Sequence, residues 1–213
     1  MLGILGGTFD PVHFGHLRPA LDVLQALELD EVRVMPCRTP PHRESPRASP
    51  EQRRTMLELA LADEPGLVLD RRELEREGPS FMVDTFQSLR HELGGEIPLA
   101  LILGMDAFLG LPKWHRWEAL AGLCHFVVTH RPGWSPPGSG EMARWSRART
   151  VSSGTALRAT PAGKVFYSEV TQLDISASHI RALLAAGLSP RYLLPDAVLA
   201  YIRDTGLYDT GAR

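Results

Sequence analysis

Cysteine, lysine and long apolar runs are all scarce in this chain. Two cysteines occur among 213 residues, Cys37 and Cys124, far apart and outside any CxxC or Cys/His cluster. That argues against a disulfide framework and against a structural zinc module. Lysine appears only at Lys113 and Lys164, so the positive charge is almost entirely arginine. Guanidinium forks suit phosphates and carboxylates, but the bias is read mainly as composition. Lys+Arg 23 against Asp+Glu 25 leaves a net charge of −2, so no broad basic field exists to hold a nucleic-acid backbone. No apolar stretch approaches the roughly 20 residues of a membrane helix. The N-terminus opens directly into Leu2-Gly3-Ile4-Leu5 without a basic leader. A soluble cytoplasmic protein with no membrane partner is the expectation.

What remains is ordinary globular composition, 44% hydrophobic and 23% charged, in a chain long enough to bury a core unaided. Short apolar runs alternate with helix-period segments. Strands are predicted over Leu2–Leu5, Glu31–Met35, Leu67–Leu69, Leu99–Leu103, Cys124–Val128 and Lys164–Tyr167. Helices are predicted over Phe14–Ala26, Pro50–Ala62, Ser80–His91, Ser178–Ala186 and Pro195–Asp204, with a short one over Trp117–Ala121. This alternation argues for an α/β domain with a mostly parallel sheet, whose ligands sit outside the carboxyl ends of the strands. Two stretches, Pro36–Pro50 and Arg131–Gly163, are rich in turn-forming residues and read as long surface loops.

The strongest chemical signal follows the first strand, in Gly6-Gly7-Thr8-Phe9-Asp10-Pro11-Val12-His13-Phe14-Gly15-His16. Paired glycines permit close approach of a ligand, and the helix start beyond them offers unpaired N–H groups to an anion. His13 and His16 are three apart and project from one face of the first turn. Gly15, with no side chain, leaves room for a phosphate against the helix. A Gly-Gly turn or two nearby histidines alone would be unremarkable; joined after the first strand of an α/β domain, they read as a phosphate site.

Here the chain resembles a known family. His13-Phe14-Gly15-His16 resembles the HxGH signature of the nucleotidyltransferases, and Gly6–His16 as a whole is similar to bacterial nicotinate-nucleotide adenylyltransferases. Ile175-Ser176-Ala177-Ser178-His179-Ile180-Arg181 resembles the second signature, with Ser178 expected to cap a helix and Arg181 to project from the same side one turn on. The likeness extends through Pro40-Pro41-His42-Arg43, Gln52–Ala60, Gly104-Met105-Asp106, Trp114, Arg131-Pro132-Gly133 and the C-terminal Leu193–Tyr208. Arg53 and Leu57 read as scaffold. The chain departs from the family pattern at Phe81 and Met82, where Tyr and Thr are usual, and at His115 beside Trp114.

The resemblance implies a Rossmann-like, doubly wound α/β fold with a small C-terminal helical extension. It implies a single nucleotidyltransferase domain over 1–213, with a core over 1–170 and the second phosphate motif in 171–213. It implies transfer of the adenylyl group of ATP to nicotinate mononucleotide, releasing pyrophosphate, with no covalent intermediate. The catalytic set would be His16, His13 and Arg181. ATP would meet Gly6, Gly7, Thr8, Phe9, His13, His16, Gly104, Asp106, Ser178 and Arg181. Nicotinate mononucleotide would meet Arg43, Met82, Thr85, Trp114 and His115. Magnesium would travel with the triphosphate, with no metal site on the protein; homo-oligomerisation stays open.

Competing activities include adenylyl transfer to nicotinamide mononucleotide, alone or with dual specificity, to phosphopantetheine, and cytidylyl transfer. An aminoacyl-tRNA synthetase is disfavoured, because no KMSKS-like partner and no room for tRNA-binding domains are present. A non-catalytic nucleotide sensor would be expected to lose His13, His16, Ser178 or Arg181, all of which stand. An RNA-binding role for Arg144–Arg158 lacks stacking aromatics beyond Trp145.

Overall fold

The computed structural model describes residues 1–39, 45–130, 138–171 and 173–208. Its six strands are β1 (Leu2–Gly7), β2 (Glu31–Pro36), β3 (Leu67–Leu69), β4 (Leu99–Gly104), β5 (His125–His130) and β6 (Val165–Glu169). They form one sheet in the order β3-β2-β1-β4-β5-β6, with every neighbouring pair parallel. The chain runs outward from β1 to β3, then returns to begin again at β4 beside β1. That reversal makes the β1/β4 boundary the topological switch point, and the crevice beyond its carboxyl ends is where such sheets hold ligands.

Helices cover both faces. On one face lie α1 (Phe14–Ala26), α2 (Pro50–Leu61), α8 (Ala177–Ala185) and α9 (Asp196–Asp204). Their Leu17, Ala20, Val23, Met56, Leu57, Ile180, Val198 and Ile202 share a core with Val32, Val34, Ala100 and Ile102 of the sheet. The opposite core joins Leu99, Leu101, Leu103, Phe126 and Val128 to helices α4 (Met82–Leu93), α5 (Met105–Leu109), α6 (Trp117–Leu120) and α7 (Glu141–Arg147). A short α3 (Arg72–Glu75) precedes α4. The period-two alternation along β4, odd positions to one core and even positions to the other, explains its unbroken apolar run. A parallel strand buried on both faces has no solvent side to leave polar.

The expectation of a loop throughout 131–163 is corrected within the described residues. Met142, Ala143 and Ser146 of α7 are buried, and the following 3₁₀ segment Gly154–Ala159 buries Leu157. Trp145 packs its ring 5.3 Å from Trp117 and 5.2 Å from Phe126, with the Arg149 guanidinium 4.6 Å above it. Aromatic contact of this kind ties the segment to the sheet.

Candidate active site

β1 delivers the chain to the switch point, and the turn beyond it is shaped by close contacts. A Cβ on Gly6 would stand 2.6 Å from the Met82 methyl, and one on Gly7 would stand 2.8 Å from the Phe9 ring. The paired glycines therefore admit protein atoms: the start of α4 over Gly6, and the folded-back Phe9 (φ 52°) over Gly7. His13 is the extended N-cap of α1, and its imidazole stacks on His16 with centroids 3.7 Å apart and planes at 26°. The Phe9 ring makes a T-shaped contact with His16, centroids 5.0 Å apart.

His13 is only 4% exposed, and burial holds its pKa down to about 4. It stands neutral at pH 7, so the stacked pair does not carry two adjacent positive charges. Its Nδ1 is buried without a hydrogen-bond partner among the described residues, an exception to the rule that buried polar atoms are paired. His16 is half-buried at the mouth of the same turn.

The second motif lies directly against the first. A Cβ on Gly15 would stand 2.9 Å from His13 Nδ1 and 3.1 Å from the carbonyl oxygen of Ile175. The space read from sequence as room for a phosphate is thus taken by the backbone entering α8. A second correction concerns the cap. Ser176, extended at φ −126° and ψ 146°, accepts the His179 N–H at 3.2 Å, so Ser178 is not the cap. Ser178 is instead exposed in the first turn of α8, three residues before Arg181 and on the same face.

Arg181 returns to the first motif, donating from Nη1 to the Asp10 carbonyl at 2.6 Å, with Asp10 Oδ2 at 3.8 Å. The Asp10 carboxylate also accepts the Arg47 and Ala48 N–H groups at 2.9 and 3.1 Å and the Tyr208 hydroxyl at 2.6 Å. Beneath this turn Arg53 of α2 is fully buried, donating to the carbonyls of Thr8, Cys37 and Arg38 at 2.9, 2.6 and 3.2 Å. It ties the loops after β1 and β2 together, as its reading as scaffold anticipates. Asp10 and Tyr208 had no role in the sequence reading; their separation of 198 residues hides the pairing.

Beyond β4, Gly104 caps α5 and leaves open space on its Cβ side, with Asp106 exposed in the first turn. β1 and β4 are in register, Leu5 beside Ile102, so Gly7 and Gly104 end their strands at the same level. On the other flank the Phe81 ring lies 4.3 Å from that of His115, which is exposed, and Trp114 is half-buried beside it. With Met82 over Gly6, these residues flank the switch point on the α4 side; Phe81, noted in the sequence as a departure from the family pattern, joins them.

Thr85 does not belong to that group. It is fully buried, its hydroxyl donates to Glu73 Oε1 at 2.5 Å, and its N–H bonds the Phe81 carbonyl. Burial raises the Glu73 pKa, and Arg76 approaches the same hydroxyl at 3.3 Å. Thr85 therefore anchors α4 to α3 and has no free polar group for a ligand, a correction to its expected role. Arg43 and the rest of Pro40–Arg43 lie outside the described residues, as does Arg131-Pro132-Gly133. Among the described residues no group of three His, Cys, Asp or Glu side chains is arranged to hold a metal. No helix among them is long and apolar enough to cross a membrane.

A cytidylyltransferase-like family model matches residues 4–183. A relative from Methylococcus capsulatus, named "Probable nicotinate-nucleotide adenylyltransferase", is 53% identical over 98% of this chain and 99% of its own. One of the same name from Aeromonas hydrophila is 49% identical over 97% and 96%. Among solved structures, the Plasmodium falciparum nicotinic acid mononucleotide adenylyltransferase complexed with NaAD superposes with a TM-score of 0.72 at 18% identity, covering 97% of this chain and 96% of that one. At that identity it bears on the fold, and it agrees with the doubly wound sheet described above. Identity near one half along almost the full length, with both phosphate motifs side by side at the switch point, makes this chain a member of the nicotinate-nucleotide adenylyltransferase family of nucleotidyltransferases.

Proposed function

We propose that the protein, acting as one nucleotidyltransferase domain in the cytoplasm, transfers the adenylyl group of ATP to nicotinate mononucleotide. The observation that carries the reading is the stacked His13–His16 pair at the start of α1, joined to Arg181 through Asp10. The contact of the two motifs beyond the carboxyl end of β1, where doubly wound sheets hold nucleotides, supports reading both as phosphate-binding. The family name adds the acceptor.

The chemistry is a displacement at phosphorus. A phosphate oxygen of the mononucleotide, anionic at neutral pH, attacks the α-phosphorus of ATP. The new O–P bond forms as the bond to the bridging oxygen of the β-phosphate breaks, and its electron pair leaves on pyrophosphate. No proton has to be removed from the nucleophile. The protein's contribution is alignment of two anions and neutralisation of charge in the transition state.

His16 donates to the α-phosphate. His13, kept neutral by burial, positions the triphosphate without adding charge. Ser178 and Arg181, on one face of α8, hold the β- and γ-phosphates. Gly6, Gly7, Thr8 and Phe9 line the nucleotide, with Gly104 leaving clearance and Asp106 accepting from a ribose hydroxyl. Trp114 and His115 face the pyridine ring, with the N–H at the start of α4, at Met82, turned to its carboxylate. Arg43 would reach the phosphates from its loop. Magnesium carried by the triphosphate would supply further charge neutralisation, with phosphate oxygens and water as ligands, since the side chains described offer no cage.

The test is pyrophosphate release with ATP and magnesium, comparing nicotinate with nicotinamide mononucleotide. Strong preference for the nicotinate form supports the reading. Equal rates make the enzyme dual-specific and point to Met82 and His115. Release with neither overturns the acceptor assignment.

A further inference from the structure

Asp10 stands between the two phosphate motifs, and its surroundings do more than join them. Among the described residues its carboxylate accepts three hydrogen bonds, the Arg47 N–H on Oδ2 and the Ala48 N–H and Tyr208 hydroxyl together on Oδ1. Arg181, the oppositely charged neighbour, is not in forked contact with it. The guanidinium instead gives Nη1 to the Asp10 carbonyl at 2.6 Å and stays 3.8 Å from Oδ2. A carboxylate has about four acceptor positions. With three filled by other donors, its remaining pull on a guanidinium is reduced.

The third donor comes from far along the chain, where Tyr208 follows α9 and is buried in the same core. Burial and the adjoining carboxylate push its phenol well above the ordinary range, so it donates throughout the physiological pH range.

We propose that Tyr208 is a positioning residue for Arg181: its hydroxyl occupies Asp10 and keeps that carboxylate from drawing Arg181 into a closed ion pair, which leaves the remaining guanidinium donors for the phosphates of ATP. The proposal rests on the reading of Arg181 as a phosphate-binding group. Removing the hydroxyl leaves a buried carboxylate short of one bond, a deficit that costs free energy. The nearest compensation is a small rotation of Arg181 that shortens its 3.8 Å approach to Oδ2 and brings a second N–H to the position on Oδ1 that Tyr208 vacates. ATP must then compete with Asp10 for the same donors. The Tyr208 ring itself stays in the core, so Tyr208→Phe removes the bond and not the packing.

The experiment measures ATP affinity by calorimetry with magnesium present, and KM for ATP and kcat by pyrophosphate release. The proteins are the wild type, Tyr208→Phe, Arg181→Ala and the double variant. Tyr208→Phe is expected to weaken ATP binding about fivefold to tenfold, the scale of one ordinary hydrogen bond's net contribution. KM for ATP should rise in parallel, with kcat changing much less. The double variant should bind ATP no more weakly than Arg181→Ala alone, because Tyr208 acts through Arg181. Unchanged ATP affinity in Tyr208→Phe overturns the proposal. So does a double variant whose loss is the product of the two single losses, since that would be an independent effect on the fold. Wild-type ATP affinity in Arg181→Ala removes the phosphate role of Arg181 and the proposal with it, a failure recognised from that single arm. Because affinity is read without an acceptor, failure of the nicotinate assignment leaves the calorimetric result standing.

Discussion

His13 and His16 stack ring on ring, yet burial gives them different work. In the proposed mechanism a neutral His13 orients the phosphates and donates, and the electrostatic load at the α-phosphate is assigned to His16. His16→Ala should therefore lower kcat by about 10²- to 10³-fold, the range for losing one donor that acts on developing charge. The half-buried ring contributes little to the core, so the thermal midpoint should stay within a few degrees of wild type. Pyrophosphate release and thermal unfolding on the same preparation check both halves, and near-normal turnover would remove His16 from the mechanism. Arg53 is a different kind of site residue. Its guanidinium touches three carbonyls, from Thr8, Cys37 and Arg38, and acts by holding two loops at a fixed separation.

At the scale of elements, the contact between α1 and the strand-like entry to α8 decides whether the two phosphate motifs form one site. Gly15 is the position where they touch. Alanine at a helical position is ordinarily favoured over glycine by about 1 kcal/mol. Here the added Cβ would meet His13 Nδ1 at 2.9 Å and the Ile175 carbonyl at 3.1 Å, and a backbone oxygen cannot turn aside as a flexible side chain can. Gly15→Ala is thus expected to destabilise by roughly 1–3 kcal/mol and to raise KM for ATP by displacing Ser178 and Arg181. Chemical denaturation and ATP kinetics measure the two effects; a more stable, fully active variant would refute the close approach.

Elements are also where the sequence was most and least readable. The predicted α1, Phe14–Ala26, and β3, Leu67–Leu69, match the structure end to end, and the other strands lie within a few residues of their predicted bounds. β1 runs on to Gly7 because those glycines pair with Met35 and Pro36 of β2, a tertiary gain that local propensity does not record. α7 escaped because seven residues carry too little periodicity to outweigh the glycines and prolines around them. Ser176 and Ser178 are equally good caps on paper, and only the backbone geometry at Ser176 decides between them. His13, His16 and Arg181 stand out because local motifs carry them, and the structure brings those two motifs into contact. The Tyr208–Asp10 bond does not, since nothing local couples the last turn to the first loop.

At the scale of the molecule, the buried histidines make stability depend on pH, and the sign follows from where each proton is held. His125 is fully buried, with Nε2 2.8 Å from the Thr160 carbonyl and Nδ1 accepting the Lys164 N–H at 3.1 Å. That pattern requires the neutral ring, and burial lowers its pKa, as it lowers that of His13 to about 4. For both, the unfolded chain binds a proton at the ordinary value of 6.5 while the folded chain resists it. Their stabilisation is complete above pH 6.5 and is lost as pH falls through the window between that value and the lowered one. For His13 the loss amounts to about 3 kcal/mol by pH 4. Glu73 works the other way: burial raises its pKa above 4.5, so the folded state takes up a proton before the unfolded one and gains stability as pH falls toward 4.5. Between pH 6.5 and 4 His13 alone takes up close to one proton on unfolding, a slope of up to roughly 1.4 kcal/mol per pH unit; His125 adds to it and Glu73 opposes it. Denaturant unfolding at half-unit intervals from pH 7.5 to 5 should show that decline, and Glu73→Gln should steepen it by removing the opposing proton. A flat profile across this range, or a Glu73→Gln slope shallower than wild type, would show that these buried groups do not set the molecule's acid sensitivity.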